Sequence, residues 1–152
     1  MTIDSFELPA TRFLSNFFMC DVTRNHITYL SVEHAYQAAK ATNDKDEAFV
    51  RYSGSPGQAK KRGRIITPRA DWQDVKLSIM RELIIQKFTR HKHLGYDLLR
   101  TAPHELIEGN TWGDTYWGVC RGQGLNHLGN LLMTTRDTML AILSTEFNRV
   151  KT

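Results

Sequence analysis

A chain of 152 residues is long enough for one domain with its own hydrophobic core, and 41% hydrophobic against 24% charged residues is the balance of a globular protein. No window approaches the roughly 18 apolar residues of a membrane span, the opening MTIDSFELPATRF lacks the basic-then-apolar order of a secretory signal, and Cys20 and Cys120 lie far apart outside any CxxC pair, so a cytoplasmic location with reduced thiols is expected. A net charge of +4 allows an anionic ligand or nucleic acid without requiring either.

Residues 6–30 read as irregular to extended. TRNHITYL is a short strand or hairpin arm, with Asn25 suited to the turn and Ile27, Tyr29 and Val32 favouring extended backbone. Ser31 then makes a good N-cap for a helix expected to run to about Thr42, with Glu33 in the first turn where the helix dipole favours negative charge. Asn43 or Asp44 caps a short second helix through Tyr52. Ser55-Pro56, a cap followed by proline at the first helical position, starts a third that ends near Gly63. Asp71 caps a long helix from Trp72 to about Thr89, with Trp72, Val75, Ile79, Leu83 and Phe88 near helical period. Leu94 to Arg100 gives another short helix before Pro103.

Residues 104–124 change character, with five Gly, two Trp and one Tyr in 21 residues, and read as short strands or turns around a functional loop. The last helix starts near Asn126, with Leu128, Leu132, Met139, Leu143 and Phe147 on its buried face. The expected fold is mainly α: a single α-rich domain over residues 1–152 with a few short β-strands.

Three constellations can carry chemistry. On the helix after Ser31, Glu33, Gln37 and Lys40 fall within roughly 60° of arc. An acid, an amide and an amine on one stripe fit a catalytic face, or a solvated salt-bridged one. A carboxylate there can accept a proton or stabilise positive charge, Gln37 can orient a substrate polar group, and Lys40 can bind phosphate or, if desolvated, act as an amine nucleophile. In the loop EGNTWGDTYWG, Glu108, Asn110 and Asp114 stand among Trp112, Tyr116 and Trp117. Carboxylates suit glycosidic bond cleavage and indole faces suit stacking on a planar base; the same residues also suit a tight aromatic turn whose Asp and Asn bond the backbone. In SPGQAKKRGR, Lys60 and Arg64 stand one turn apart near a helix start and can hold a phosphate, with Arg12 a further anion-binding candidate. Trp72 is a pocket wall or core. Lys87 reads as structural. No HExxH or zinc spacing occurs, His91 and His93 read as surface residues, and neither a metal nor a cofactor is expected. GxSxG and the P-loop are absent.

Taken in order, FLSNFF, SVEHAYQAAK, SPGQAKKRGR, the Asp71-Trp72 helix, LIEGNTWGDTYWG, Gly124, Asn126, Leu128-Gly129, Leu132-Met133 and Arg136 resemble the NADAR superfamily, the YbiA-like proteins, from about Phe13 to Leu140. The stretch between Gly118 and Gly124 is short for that family. The resemblance implies an α-rich domain that hydrolyses C1′–N bonds, acting on riboflavin-pathway phosphoribosylamino-pyrimidines or on ADP-ribosylated guanine in nucleic acids. It implies Glu33 as the foremost catalytic residue, with Lys40, Asp114 and Trp117 next. Asn16, Phe17, Gln37, Trp72, Glu108, Asn110, Trp112, Trp117 and Gly118 make the expected substrate-binding set, and Arg12, Lys60 and Arg64 the phosphate-binding set. Two routes fit such a bond. One is acid/base cleavage with Glu33 or Asp114 facing the developing charge; the other is ring opening followed by a Schiff base on Lys40. The alternative function is a non-catalytic ADP-ribose or NAD-binding module.

Overall fold

The computed structural model describes residues 1–150. In chain order its elements are β1 (Thr2–Ile3), a 3-10 turn (Arg12–Leu14), β2 (Met19–Arg24), β3 (Ile27–Ser31), α1 (Val32–Ala38), α2 (Asp44–Arg51), α3 (Pro56–Gly63), α4 (Trp72–Arg90), α5 (Lys92–Arg100), β4 (Glu105–Leu106), β5 (Gly109–Asn110), β6 (Val119–Cys120) and α6 (His127–Val150). This is the α-rich fold with a few short strands that the sequence implies. The elements group into two units, Ser15–Lys87 and Met1–Leu14 with Phe88–Thr152.

In the unit of residues 15–87, Asn25 and His26 take left-handed backbone at φ 50° and 64°. Two such residues form the turn that matches strand twist, and they pair β2 with β3 antiparallel. Ser31 ends β3 and caps α1, its Oγ accepting the His34 N–H at 3.2 Å. Val32, favoured for extended backbone, is therefore the first helical residue. All seven residues of α1 are buried. His34 is pinned between Ser31 Oγ at 2.7 Å and the Ser53 carbonyl at 3.0 Å, and burial lowers its pKa.

α1 stops at Ala38, four residues short of the expected Thr42. Asn43 must be extended to cap α2, where its Oδ1 accepts the Asp46 N–H at 2.9 Å. The Lys40 carbonyl, which a longer helix would use internally, instead accepts the Arg69 N–H at 2.8 Å. Ser55 caps α3 with Pro56 at its start, as read from the sequence. Asp71 stands before α4 with both carboxylate oxygens held by Arg69, at 2.5 and 2.9 Å. The face of α4 bearing Trp72, Ile79, Met80, Leu83, Ile84 and Lys87 is buried.

In the other unit, β1 pairs parallel with β4 and β5 parallel with β6. α6 packs on α5 and β4 and buries Leu128, Leu131, Leu132, Thr135 and Arg136. Arg136 Nη1 donates to Thr101 Oγ1 at 3.1 Å and to the His104 carbonyl at 2.7 Å, tying α6 to the α5–β4 connection. Leu143 and Phe147, expected in the core, are 46% and 61% exposed. The 24-residue α6 extends about 36 Å, while α5 has nine residues and β4 two, too short to cover its later turns. No helix among the described residues is long and apolar enough to cross a membrane.

Candidate functional site

The stripe on α1 is buried, which removes the solvated reading. Glu33 and Gln37 are 6% and 5% exposed. Glu33 Oε1 accepts the Gln37 Nε2–H at 2.7 Å, one helical turn apart. The Glu33 backbone N–H donates to the Asn16 carbonyl at 3.1 Å. Because a carboxylate only accepts, this bond fixes the orientation of the Gln37 amide. Its Oε1 is then turned toward Gly63 of α3 and finds no hydrogen-bond partner among the described residues. Gly63 is required here, since a Cβ would run into the Gln37 amide. A buried acceptor without a partner costs about 1–3 kcal/mol, and a catalytic or substrate-orienting role is one explanation for keeping it.

Lys40 lies just beyond α1, its backbone N–H still bonded to the Gln37 carbonyl at 3.3 Å. Its Nζ is 3.4 Å from the Gly63 carbonyl, 5.7 Å from the Trp72 ring centroid and 6.0 Å from that of Tyr36. Those two rings stack at a tilt, 5.0 Å apart. Burial lowers the Lys40 pKa below the ordinary lysine value; Glu33 opposes the fall, and Arg64, Lys60 and Lys76 add to it. The amine thus sits by an aromatic wall, near a carboxylate, with an enlarged neutral fraction.

The other expected residues of this unit take the following positions. Asn16 is buried, gives Nδ2–H to Met80 Sδ at 3.5 Å, and keeps Oδ1 without a partner among the described residues. Phe17 is 38% exposed, with Lys60 Nζ 5.9 Å from its ring centroid. Lys60 and Arg64 flank the C-terminal turn of α3, close enough to act electrostatically on Lys40. Trp72 is both core and wall, packed on Tyr36 beside the amine.

Lys87 received no role from the sequence. It is fully buried, its Nζ donates to the Ser15 carbonyl at 2.8 Å, and burial lowers its pKa to about 8. The available signal was its phase: it falls on the apolar face of α4, at i+4 from Leu83.

The loop of residues 108–118 belongs to the other unit, and its Asn110 and Asp114 side chains serve its own backbone. Asn110 Oδ1 accepts the Asp114 N–H at 3.0 Å while its Nδ2 donates to the Asp114 carbonyl at 2.7 Å. Asp114 Oδ1 accepts the N–H groups of Tyr116 and Trp117 at 3.1 and 2.9 Å. Gly113 supplies the left-handed step at φ 87°. Gly118 packs so closely on the Glu108 carbonyl and Asn110 Nδ2 that no side chain fits. The Glu108 N–H donates to Asn126 Oδ1 at 3.0 Å. Tyr116 contacts both Trp117 and His127, with ring centroids 4.9 and 4.5 Å away. Trp112 is 54% exposed. Arg12, in the 3-10 turn of this unit, is also exposed.

The structure therefore gathers Asn16, Phe17, Glu33, Gln37, Lys40, Lys60, Arg64 and Trp72 in one unit, and Arg12 with the residues from Glu108 to Gly118 in the other. Among the described residues, no three His, Cys, Asp or Glu side chains group to hold a metal ion.

Several known proteins are similar. The sequence profile described as the NADAR domain matches residues 6–140, which span both units. An N-glycosidase of Nostoc punctiforme is 37% identical over 136 residues, covering 86% of this chain and 86% of that protein. The N-glycosidase YbiA of Escherichia coli is 37% identical over 128 residues, covering 82% and 79%. A riboflavin biosynthesis protein of Vibrio vulnificus is 33% identical over 130 residues, 84% of this chain but 35% of that longer protein. The NMR structure of E. coli YbiA superposes with a TM-score of 0.81 at 35% identity, covering 96% of this chain and 87% of that one.

Proposed function

The chain belongs to the NADAR family, and from that premise we propose that it is an N-glycosidase cleaving the C1′–N bond of a phosphoribosylated aminopyrimidine, with Lys40 as nucleophile. The N-glycosidase names of its relatives support the reaction class, and the riboflavin biosynthesis names of the longer relatives support the small substrate over ADP-ribosylated guanine. The matched profile spans both units, which supports treating residues 1–152 as one domain.

The observation that carries the mechanism is the half-buried Lys40 amine, its pKa lowered by burial, near the Glu33–Gln37 pair. A glycosylamine opens its ribose ring to an iminium at C1′, the ring oxygen taking a proton. The neutral Lys40 Nζ adds to C1′. A proton passes from Nζ to the pyrimidine-bearing nitrogen, with Glu33 as relay, and the C1′–N bond breaks to release the aminopyrimidine. The remaining Lys40–C1′ iminium takes up water and returns the amine and the ribose 5-phosphate aldehyde. Lys60 and Arg64 hold the 5′-phosphate, and Trp72 offers an aromatic face. Asn16 and Phe17 line the substrate. In the other unit the family resemblance suggests phosphate binding by Arg12, base stacking by Trp112 or Trp117 and substrate contacts by Glu108, Asn110 and Gly118, whereas Asp114, which it would make catalytic, holds the N–H groups of Tyr116 and Trp117. Each is testable by separate substitution.

The test incubates the purified protein with freshly made phosphoribosylamino-pyrimidines and, separately, with ADP-ribosylated guanine DNA, and identifies products by mass. Ribose 5-phosphate with a released aminopyrimidine is expected. ADP-ribose release alone would move the substrate to the modified nucleic acid, and ADP-ribose binding without turnover of either substrate would make the protein a binding module.

A further inference from the structure

Lys87 is buried on the apolar face of α4, where its Nζ donates to the Ser15 carbonyl at 2.8 Å and lies 5.4 Å from the Phe18 ring centroid. Burying a lysine amine is costly, and an unbranched apolar side chain would fill the same space without that cost. The position therefore calls for a donor. The carbonyl it holds belongs to the turn from Ser15 to Phe18, closed by the Phe18 N–H on the Ser15 carbonyl at 3.2 Å and the Phe17 N–H on Ser15 Oγ at 3.1 Å. The next residue in that turn, Asn16, gives its carbonyl to the Glu33 N–H at 3.1 Å, and its side chain is held by Met80 of α4 at 3.5 Å. α4 thus grips the turn at two adjacent residues, and the turn grips the first turn of α1.

We propose that Lys87 is a positioning residue for the reaction: by fixing the Ser15–Asn16 turn, it sets the start of α1 and with it the Glu33 carboxylate. Lys87 touches no reacting atom in this account. The chain of contacts runs from Lys87 Nζ to the Ser15 carbonyl, through the peptide to the Asn16 carbonyl, and on to Glu33, whose carboxylate holds Gln37. This rests on the glycosidase reading above for its kinetic consequence, though not for its structural one.

Lys87→Met keeps the length of the stem and removes the donor. A displaced catalytic group should lower kcat roughly 10²-fold while KM changes less than about threefold. Amide hydrogen exchange, read by NMR without substrate, should show the Glu33 N–H exchanging faster in the variant, with the α6 amides unchanged. Lys87→Gln retains an N–H donor on a shorter side chain and should fall between wild type and Lys87→Met in both readouts, which keeps the proposal testable if the methionine variant folds poorly. Wild-type kcat in Lys87→Met, or lost kcat with unchanged Glu33 exchange, would overturn the proposal. A borohydride-trapped sugar adduct on Lys87 would overturn it as well, by making Lys87 a nucleophile. Absence of turnover in the wild-type protein would instead count against the glycosidase reading, leaving the exchange measurement to decide the structural link.

Discussion

The segment from Ser31 to Lys40 and the loop from Glu108 to Gly118 are both dense in polar and aromatic residues, yet Asn110 and Asp114 of the loop use their polar side chains in a way that Gln37 of α1 does not. In the loop, Asn110 pairs both its amide ends with the backbone of Asp114, and Asp114 Oδ1 takes two further N–H groups. Those groups shape a turn and leave Trp112 exposed. In α1, by contrast, Gln37 Oε1 is buried with no partner among the described residues, and the nearby half-buried Lys40 amine has its pKa lowered by desolvation. Satisfied polar groups specify a conformation. Buried groups with unmet demand are held there against their own preference, and such a region is where chemistry is to be sought.

The sharpest break of this contrast is at the two ionisable residues of the α1 segment. Lys40→Ala should lower kcat on the order of 10³-fold or more, and Glu33→Gln roughly 10²–10⁴-fold, each with an unfolding midpoint close to wild type. Near-wild-type turnover in either would move the reaction centre elsewhere. Gly63→Ala tests the packing behind them. Its Cβ would displace the Gln37 amide and weaken the bond to Glu33, and losing about 1.4 kcal/mol of alignment would cost about tenfold in kcat.

The loop should respond in the other sense. Asp114→Asn keeps an Oδ1 acceptor for the Tyr116 and Trp117 N–H groups and should retain kcat within about tenfold, whereas Asp114→Ala should destabilise the fold by about 1–2 kcal/mol as two N–H groups lose their acceptor. Equal and near-complete loss of activity in both, with stability intact, would return Asp114 to the chemistry. The smallest expected effect is on pH. The neutral Lys40 amine is the reactive form, so kcat should rise with pH toward a midpoint below the ordinary lysine value of 10.5. Arg64 helps depress that pKa. Removing its charge in Arg64→Ala should therefore move the midpoint of the kcat–pH profile upward, and a downward shift would contradict the assignment.

What could be read from the sequence was what local chemistry determines. Ser31, Asn43 and Ser55 cap helices because each needs only the N–H groups two or three residues ahead. The Glu33–Gln37 pairing follows from one helical turn. The end of α1 could not be read, since the Lys40 carbonyl is claimed by Arg69, far along the chain. Leu143 and Phe147 fit a helical period, but periodicity marks an apolar face without saying whether anything covers it. Burial was equally hidden. The same spacing described a solvated stripe and a buried one, and only packing separated them; Lys87 in an apolar phase carried the clue, yet lysine stems so often lie along a surface that the phase alone does not reveal a buried amine. The ordered motifs from Phe13 to Leu140 identified the family because resemblance adds weak signals along the whole chain, and the NADAR profile spans residues 6–140.

The central claim is that Lys40 forms the bond to C1′. Borohydride added during verified turnover of a phosphoribosylamino-pyrimidine, followed by peptide mapping, tests it directly. A reduced pentose-phosphate adduct on Lys40, missing in Lys40→Ala, is the predicted result. Full turnover with no adduct, or an adduct on another lysine, would contradict it.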